Sequence, residues 1–533
     1  MSAIRKLASQ TAIYGMSSII GRIAVWGLTP IYTAMLEPGE YGIFSDLYSF
    51  VTYFLVVLTF GMETAFFRFS SDDKKNQKPY TQSLLFVVTF ALVVQLLLTF
   101  GNGPFSSFLG YGHRPNLVMM MNWIIFMDVV TALPMAKLRF DERPMVFAAV
   151  SLLSIFVNIT LNIVFILVMK KTSVEYVFIA NLISSGLKFL VLLFLSSPLA
   201  KHVANIGKIG KKLSGIKLLP DKWEFDKKLM KSMVNFGLYI MIAGLFGMIN
   251  QNSDVNFISR IWGKVASEYN GVMLTGAEMA GIFSANKKLA VFILLVTQAF
   301  RYAAEPFFFK HAKETNSRVV FAKTFHYFIM ASLMTFLLIS SFAYEFVSTK
   351  FFGFQIISER YWGGLSVVPT LLFSFVLWGA YTNLSIWFKL TKQVRFGILF
   401  AAVGVVLIIL FDFIFIPYYG YLGATIAMLI SYSSMTALVY LFGQKYYPIP
   451  YRIGRISLYA VILVSTFLIN DSIGRADHNF DGTFWTKILV SLGGIGLCFA
   501  LEKFLPINWE KGVPPEDKDG ANKEKAEKLS LIH

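Results

Sequence analysis

The sequence predicts an all-α polytopic membrane protein with about fourteen transmembrane helices. Three observations predict it. Of 533 residues, 56% are hydrophobic and only 15% charged. Mean hydropathy is +0.61, far from the composition of soluble domains. Apolar stretches of roughly 17 to 28 residues recur from end to end, each long enough to cross about 30 Å of hydrocarbon as a helix.

These stretches cover 9–36, 41–67, 81–101, 117–136, 145–169, 174–197, 232–259, 279–304, 319–344, 365–388, 396–416, 421–443, 454–470 and 484–501. The first follows Arg5 and Lys6 as a signal peptide would. It is too long for a signal's apolar region and another span follows at once, so it is read as retained. The main hydrophilic interruption, about 198–231, carries nine lysines and separates six spans from the next six. The organisation predicted is an N-terminal six-helix lobe over 1–200, a basic connector over 201–231, a C-terminal six-helix lobe over 232–445, helices thirteen and fourteen within 446–505, and a polar tail over 506–533. Pro514, Pro515 and alternating charges predict disorder in that tail.

The net charge of +17 suits either nucleic acid or a membrane topology signal, and its distribution decides. With the N-terminus in the cytoplasm and sides alternating, about 34 Lys and Arg fall in inside segments and about 9 in outside ones. The charge is therefore topogenic, with both termini cytoplasmic, and nucleic acid is excluded as a partner. Cys498 is the only cysteine, which excludes disulfides, thiolate clusters and dithiol redox chemistry. The six histidines are scattered, and HExxH, GxSxG and phosphate-cradling P-loop motifs are all missing. The expectation is a non-enzyme with no catalytic residue, no metal centre and no cofactor, driven by something other than direct use of ATP.

An internal repeat supports transport. Gly42-Ile43-Phe44-Ser45 opens span two and Gly281-Ile282-Phe283-Ser284 opens span eight, at the same place in each half. Tyr14-Gly15 and Phe236-Gly237 likewise begin spans one and seven. Six spans separate equivalents, so the halves share one orientation about an axis along the membrane normal.

Four segments in order and spacing carry a family resemblance: Leu36-Glu37-Pro38-Gly39-Glu40-Tyr41-Gly42, Ile249-Asn250-Gln251-Asn252-Ser253-Asp254, Ala280-Gly281-Ile282-Phe283-Ser284-Ala285, and the run from Ile416-Pro417 through Gly423 to Ala427. Over nearly its whole length the chain resembles the polysaccharide transporter branch of the multidrug/oligosaccharidyl-lipid/polysaccharide flippase superfamily. The resemblance implies two six-helix lobes around a cavity that opens alternately to each side, in a bacterial inner membrane. It implies translocation of an undecaprenyl-pyrophosphate-linked oligosaccharide for O-antigen, capsule or exopolysaccharide, with glycosyltransferases and a polymerase as pathway partners and membrane lipids around it. Lipid II for peptidoglycan is the alternative substrate within the family, and export of cationic drugs is the alternative within the superfamily. A membrane-embedded polymerase or ligase is disfavoured by outside segments of only about 15 to 20 residues.

A charge at membrane depth costs several kcal/mol unless it meets a partner or water, so each is a functional candidate. Arg22 lies in span one, where Thr11, Ser18, Arg22, Thr29 and Thr33 recur at helical spacing as a polar stripe. Either the stripe lines the cavity and Arg22 engages pyrophosphate with its planar fork, or Arg22 pairs with Asp46 or Asp128. In span eight, Lys287 and Lys288 point about 100° apart. The repeat places Lys288 opposite Ser49, on the face of Asp46, so Lys288 is the cavity candidate and Lys287 is expected at a lobe boundary or paired. Both could instead snorkel to headgroups. Asn250 and Asp254 share a face in a dense polar cluster of span seven and would line the cavity or bind a coupling Na+ or H+; a hydrated gate is the other reading. Asp254 matches an acidic position common in the family. Asp46, Glu63 and Asp128 are further ion-site candidates, or else neutralise Arg22, Arg68 or a lysine, while Asp412 and His326 are read as structural.

Overall fold

The computed structural model describes residues 20–70, 77–197, 218–220, 223–263, 267–269, 271–298, 300–301, 317–351, 353–391, 393–476 and 480–507. Thr11, Ser18, Tyr14-Gly15, most of the predicted connector and nearly all of the polar tail lie outside them.

The helices in chain order are α1 (20–26), α2 (Thr29–Met35), α3 (Pro38–Thr59), α4 (Met62–Ser70), α5 (Lys78–Phe100), α6 (Asn102–Phe108), α7 (Pro115–Phe140), α8 (Pro144–Asn162), α9 (Val174–Ser196), α10 (Lys227–Ile261), α11 (Gly276–Lys287), α12 (Ser317–Ser341), α13 (Ala343–Ser348), α14 (Val368–Leu384), α15 (Ile386–Leu390), α16 (Arg395–Tyr446), α17 (Ile453–Ala476) and α18 (Phe480–Phe504). Twelve runs among the described residues are long and apolar enough to cross a membrane; they fall on predicted stretches two to fourteen, the eleventh and twelfth sharing one run. That shared run, α16, at 52 residues, is two helices joined at Gly420 (φ 53°, ψ −132°); unbroken it would be ~78 Å long, and the first stretch, 9–36, lies only in part within the described residues. The chain is an integral membrane protein. Two short antiparallel hairpins, Ser267–Tyr269 with Val272–Leu274 and Lys350–Phe351 with Phe354–Gln355, were not legible in the sequence.

Local chemistry sets the helix starts. Proline occupies the first turn of α2, α3, α5, α7 and α8, where its missing N–H costs nothing. Asp226 caps α10 by accepting from Lys228 N and Leu229 N, both at 3.0 Å. Thr275 and Glu278 form a reciprocal capping box at the start of α11.

The chain divides into two compact units. One comprises residues to 289 with 344–368 and 401–431, the other 290–343, 369–400 and 432–533. In the second, α17 and α18 are tied to α12. Buried Asn470 donates to Ser341 Oγ at 3.0 Å and Ser491 Oγ at 2.9 Å, and His326 and Tyr459 both bond the Glu502 carboxylate. In the first, buried Leu47, Met62, Met121, Leu133 and Phe178 belong to one apolar core built on α3, α4, α5, α7 and α9.

Two glycine contacts fix α3 within that unit. A methyl group on Gly42 would overlap the Ala277 carbonyl oxygen of α11, and one on Gly281 would overlap the Pro38 carbonyl oxygen of α3. The two copies of the repeated tetrapeptide therefore pack on each other reciprocally, main chain against main chain. At the other end of α3, a methyl on Gly61 (φ +66°) would come within 2.8 Å of Gly237 O, and one on Gly237 within 2.5 Å of Phe60 O.

Gly42→Val or Gly281→Val should push the two helices apart and cost about 2–4 kcal/mol, read as a fall of several degrees in Tm in detergent. Gly247→Ala, where an added methyl meets nothing within 4 Å, should be neutral or slightly stabilising; equal loss at all three positions would show that close approach is not the cause.

Candidate functional site

The polar side chains of the first unit fall into three groups. The first joins α3 to α10. Asp46, 1% exposed, accepts from Arg260 Nη1 at 2.7 Å and Nη2 at 3.1 Å, from Asn256 Nδ2 at 2.6 Å, and from Tyr111 Oη at 2.7 Å. Arg260 also lies 4.9 Å from the Phe50 ring centroid, and Tyr53 Oη donates to Asn256 Oδ1 at 2.9 Å. A planar fork on a carboxylate is the arrangement that best offsets burial of both charges.

The second group joins α10 to α11 and α16. Asn250 donates to Ala401 O at 3.0 Å and accepts from Ser431 Oγ at 3.3 Å. One turn on, the buried carboxylate of Asp254 accepts from Lys287 Nζ at 2.6 Å, and the same ammonium donates to Gln251 O at 2.7 Å. Asp412 of α16 interacts electrostatically with both Asp254 and Lys287. It is fully buried, and among the described residues neither of its oxygens has a hydrogen-bond partner.

The third group concerns the predicted anion ligands. Arg22 is exposed on α1, beside Gly21, which packs on Ile155 of α8. Lys288 is half-buried where α11 gives way to a 3-10 turn. Trp26, one helical turn from Arg22, donates its indole N–H to Lys288 O at 3.2 Å, so the two cationic residues sit on adjoining segments.

The described part of the polar stripe runs across a step between two helices. α1 stops at residue 26 and α2 starts at Thr29, because the Pro30 ring excludes a helical carbonyl at Trp26. Thr29 and Thr33 are buried, and Thr33 Oγ1 bonds back to Thr29 O at 3.0 Å. Ser18 lies outside the described residues. The expected partners of Arg22 are also taken by others: Arg260 holds Asp46, and Lys188 Nζ holds Asp128 Oδ1 at 2.5 Å, joined by Ser185 Oγ at 3.2 Å. Glu63 is bonded by Arg139. Lys287 is paired, as one of its two readings had it. Arg260, Lys188 and Trp26 were not foreseen; Arg260 sits near a span end and reads as a headgroup contact until its acid is known. No group of three or more His, Cys, Asp or Glu among the described residues could hold a metal ion.

Residues 7–311 match the family described as polysaccharide biosynthesis protein. The chain belongs to that family. Its fold is similar to those of several solved membrane proteins. The lipid II flippase MurJ in an inward closed conformation superposes with TM-score 0.67 at 14% identity, over 92% of this chain and 99% of that one. An inward-facing multidrug resistance MATE family transporter gives TM-score 0.60 at 15% identity, over 86% and 99%. A MOP superfamily transporter from Pyrococcus furiosus, noted for the reverse polarity of its binding pocket, gives 0.52 at 14%, over 84% and 96%. No match is found among proteins of curated function. This member of the polysaccharide biosynthesis family carries its buried acid–base groups in unit one on helices of both repeats.

Lys287→Met should strand the buried Asp254 carboxylate near Asp412 and destabilise the protein by about 3–5 kcal/mol. Thermal unfolding of Lys287→Met and of Lys287→Met with Asp254→Asn tests this: the double variant should recover most of the loss, and no recovery would mean that lost lysine packing is responsible.

Proposed function

We propose that the protein is a flippase that takes an undecaprenyl-pyrophosphate-linked oligosaccharide from the cytoplasmic leaflet and releases it at the outer leaflet by alternating access. The setting is a bacterial inner membrane with both termini cytoplasmic, and the pathway partners are the glycosyltransferases and polymerase that make and extend the oligosaccharide. Membership of the polysaccharide biosynthesis family supports the substrate class, and the transporter fold supports movement rather than chemistry.

One observation carries the reading. Lys188, Arg260 and Lys287 are each bonded to a carboxylate, whereas Arg22 and Lys288 have no acidic partner among the described residues and lie on segments joined by Trp26. Two cations left without counter-ions at membrane depth suit a dianionic ligand such as pyrophosphate and oppose a cationic drug. Ser18, before α1 in sequence, and Thr29, at the start of α2, are assigned supporting places.

Arg22→Ala should abolish surface polysaccharide with unchanged protein in the membrane; normal polymer in that strain would refute the role. Deletion of the gene should leave growth intact while stalled lipid-linked oligosaccharides accumulate. Arrest of growth would favour lipid II, which presents the same pyrophosphate.

The coupling ion, Na+ or H+, is assigned to the Asp254–Lys287–Asp412 group with Asn250 beside it. A carboxyl group with two unbonded oxygens next to an ion pair can exchange a cation, and each exchange redistributes the lysine between two acids. Asp46 and Asp128, each already neutralised, are assigned to holding helices together. In proteoliposomes, Asp412→Asn should lower gradient-driven flipping by about tenfold or more while leaving gradient-free exchange unchanged; a parallel loss of both would point to a structural role.

A further inference from the structure

The Lys188–Asp128 pair differs from the Arg260–Asp46 and Lys287–Asp254 pairs in what can reach it. The Asp46 and Asp254 side chains are sealed, at 1% and 0% exposed, whereas those of Asp128 and Lys188 are 24% and 21% exposed. Asp128 stands near the middle of α7 and Lys188 beyond the middle of α9, so both lie at membrane depth. The opening does not face hydrocarbon. On α9 the exposed apolar residues Ile183, Leu190 and Phe194 share one side, and Lys188 projects from roughly the opposite side at about 100° per residue. On α7, Asp128 is turned about 140° from exposed Trp123. A charge pair open on a face turned from lipid stands in contact with water.

The pair keeps unused hydrogen-bonding capacity. Among the described residues, Lys188 Nζ donates to Asp128 Oδ1 at 2.5 Å and Ser185 Oγ donates to the same oxygen at 3.2 Å, which leaves Asp128 Oδ2 and two ammonium protons for other partners. Beside them, Tyr48 interacts electrostatically with Asp128, and its sealed hydroxyl has no hydrogen-bond partner among the described residues. The site thus sets an acceptor and a compact donor side by side with no net charge. That combination fits vicinal hydroxyls of a sugar ring: one donates its proton to the carboxylate while its neighbour accepts from the ammonium. A simple cation meets the ammonium and a simple anion meets the carboxylate, each repelled by its like charge, and an acyl chain would strand both charges.

We propose that Asp128, Lys188 and Ser185 hold a sugar ring of the transported lipid-linked oligosaccharide, an inference that deepens the flippase reading above and rests on it. Beyond tying α7 to α9, the pair reads the saccharide while Arg22 and Lys288 meet the pyrophosphate. Tyr48 supplies the carboxylate with a replacement donor when Lys188 turns to a ligand hydroxyl.

The test measures binding to the full chain in nanodiscs with two probes, undecaprenyl pyrophosphate and the lipid-linked oligosaccharide that accumulates in the deletion strain. Wild type should hold the second at least about tenfold more tightly. Asp128→Leu with Lys188→Met, which removes the pair without stranding a charge, should erase that advantage and leave the affinity for the bare lipid unchanged, whereas Arg22→Ala should weaken both probes. Asp128→Asn with Lys188→Gln keeps an acceptor and a donor without charge and should retain most of the advantage; complete loss there would overturn recognition of hydroxyls in favour of a charged ligand group. Should the apolar pair lower Tm, the wild type decides. A carbodiimide that couples Asp128 to Lys188 should give at least about fivefold less cross-link, read by peptide mass spectrometry, with saturating sugar-bearing lipid, and no less with the bare one. An advantage that survives loss of the pair, or cross-linking indifferent to the sugar, overturns the site and leaves the flippase reading standing. A deletion strain that stalls no lipid-linked oligosaccharide removes the flippase reading and the site with it.

Discussion

The first unit depends on a crossing where two helices meet without side chains between them. Each repeated glycine leaves room for a carbonyl oxygen on the opposite helix, so α3 and α11 touch through main chain, which cannot rotate aside as a side chain can. Other contacts follow from that approach. Asn286 of α11 donates to Tyr361 O at 2.7 Å, Gly364 leaves room for Asn286 and Ile282, and Tyr361 Oη returns to Leu36 O at 2.9 Å. The relation is that of an isologous dimer interface, in which residue i meets j and j meets i, folded into one chain.

Away from the crossing, charge organises the helices. Water is scarce at these depths, so an acid without a base costs more than the pair gains over an apolar contact. Asp46, Asp128 and Asp254 each have a base on another helix, and each pair therefore specifies a neighbour. Among the described residues, Arg22 and Lys288 have no acidic partner and Asp412 has no hydrogen-bond partner, in contrast to these three pairs.

How much of this was legible in the sequence depends on the range over which each feature acts. Spans are local: length and apolarity alone locate them, and predicted stretches two to fourteen coincide with helix. The repeat was legible because identical tetrapeptides occupy matching places, although nothing in the letters says that the copies touch. Ion pairs act across 214 residues for Asp46 and Arg260, and 60 for Asp128 and Lys188, and one sequence holds no register for such distances. The step between α1 and α2 within span one was readable, since Pro30 lies in the first turn of α2, four residues after Trp26. Lys287 and Asp254 were both singled out, but their pairing needed the third dimension to place α10 against α11.

The connector is held in an unusual way. Tyr80 and Gln82 grip carbonyl oxygens of Leu218 and Glu224, which every residue type possesses. A grip on the backbone is indifferent to which side chains this strap displays. The polar part of the attachment is thus written in Tyr80 and Gln82 alone, and within the described strap only Leu218, buried among apolar side chains, and Glu224, beside Lys78, add a side-chain hold of their own.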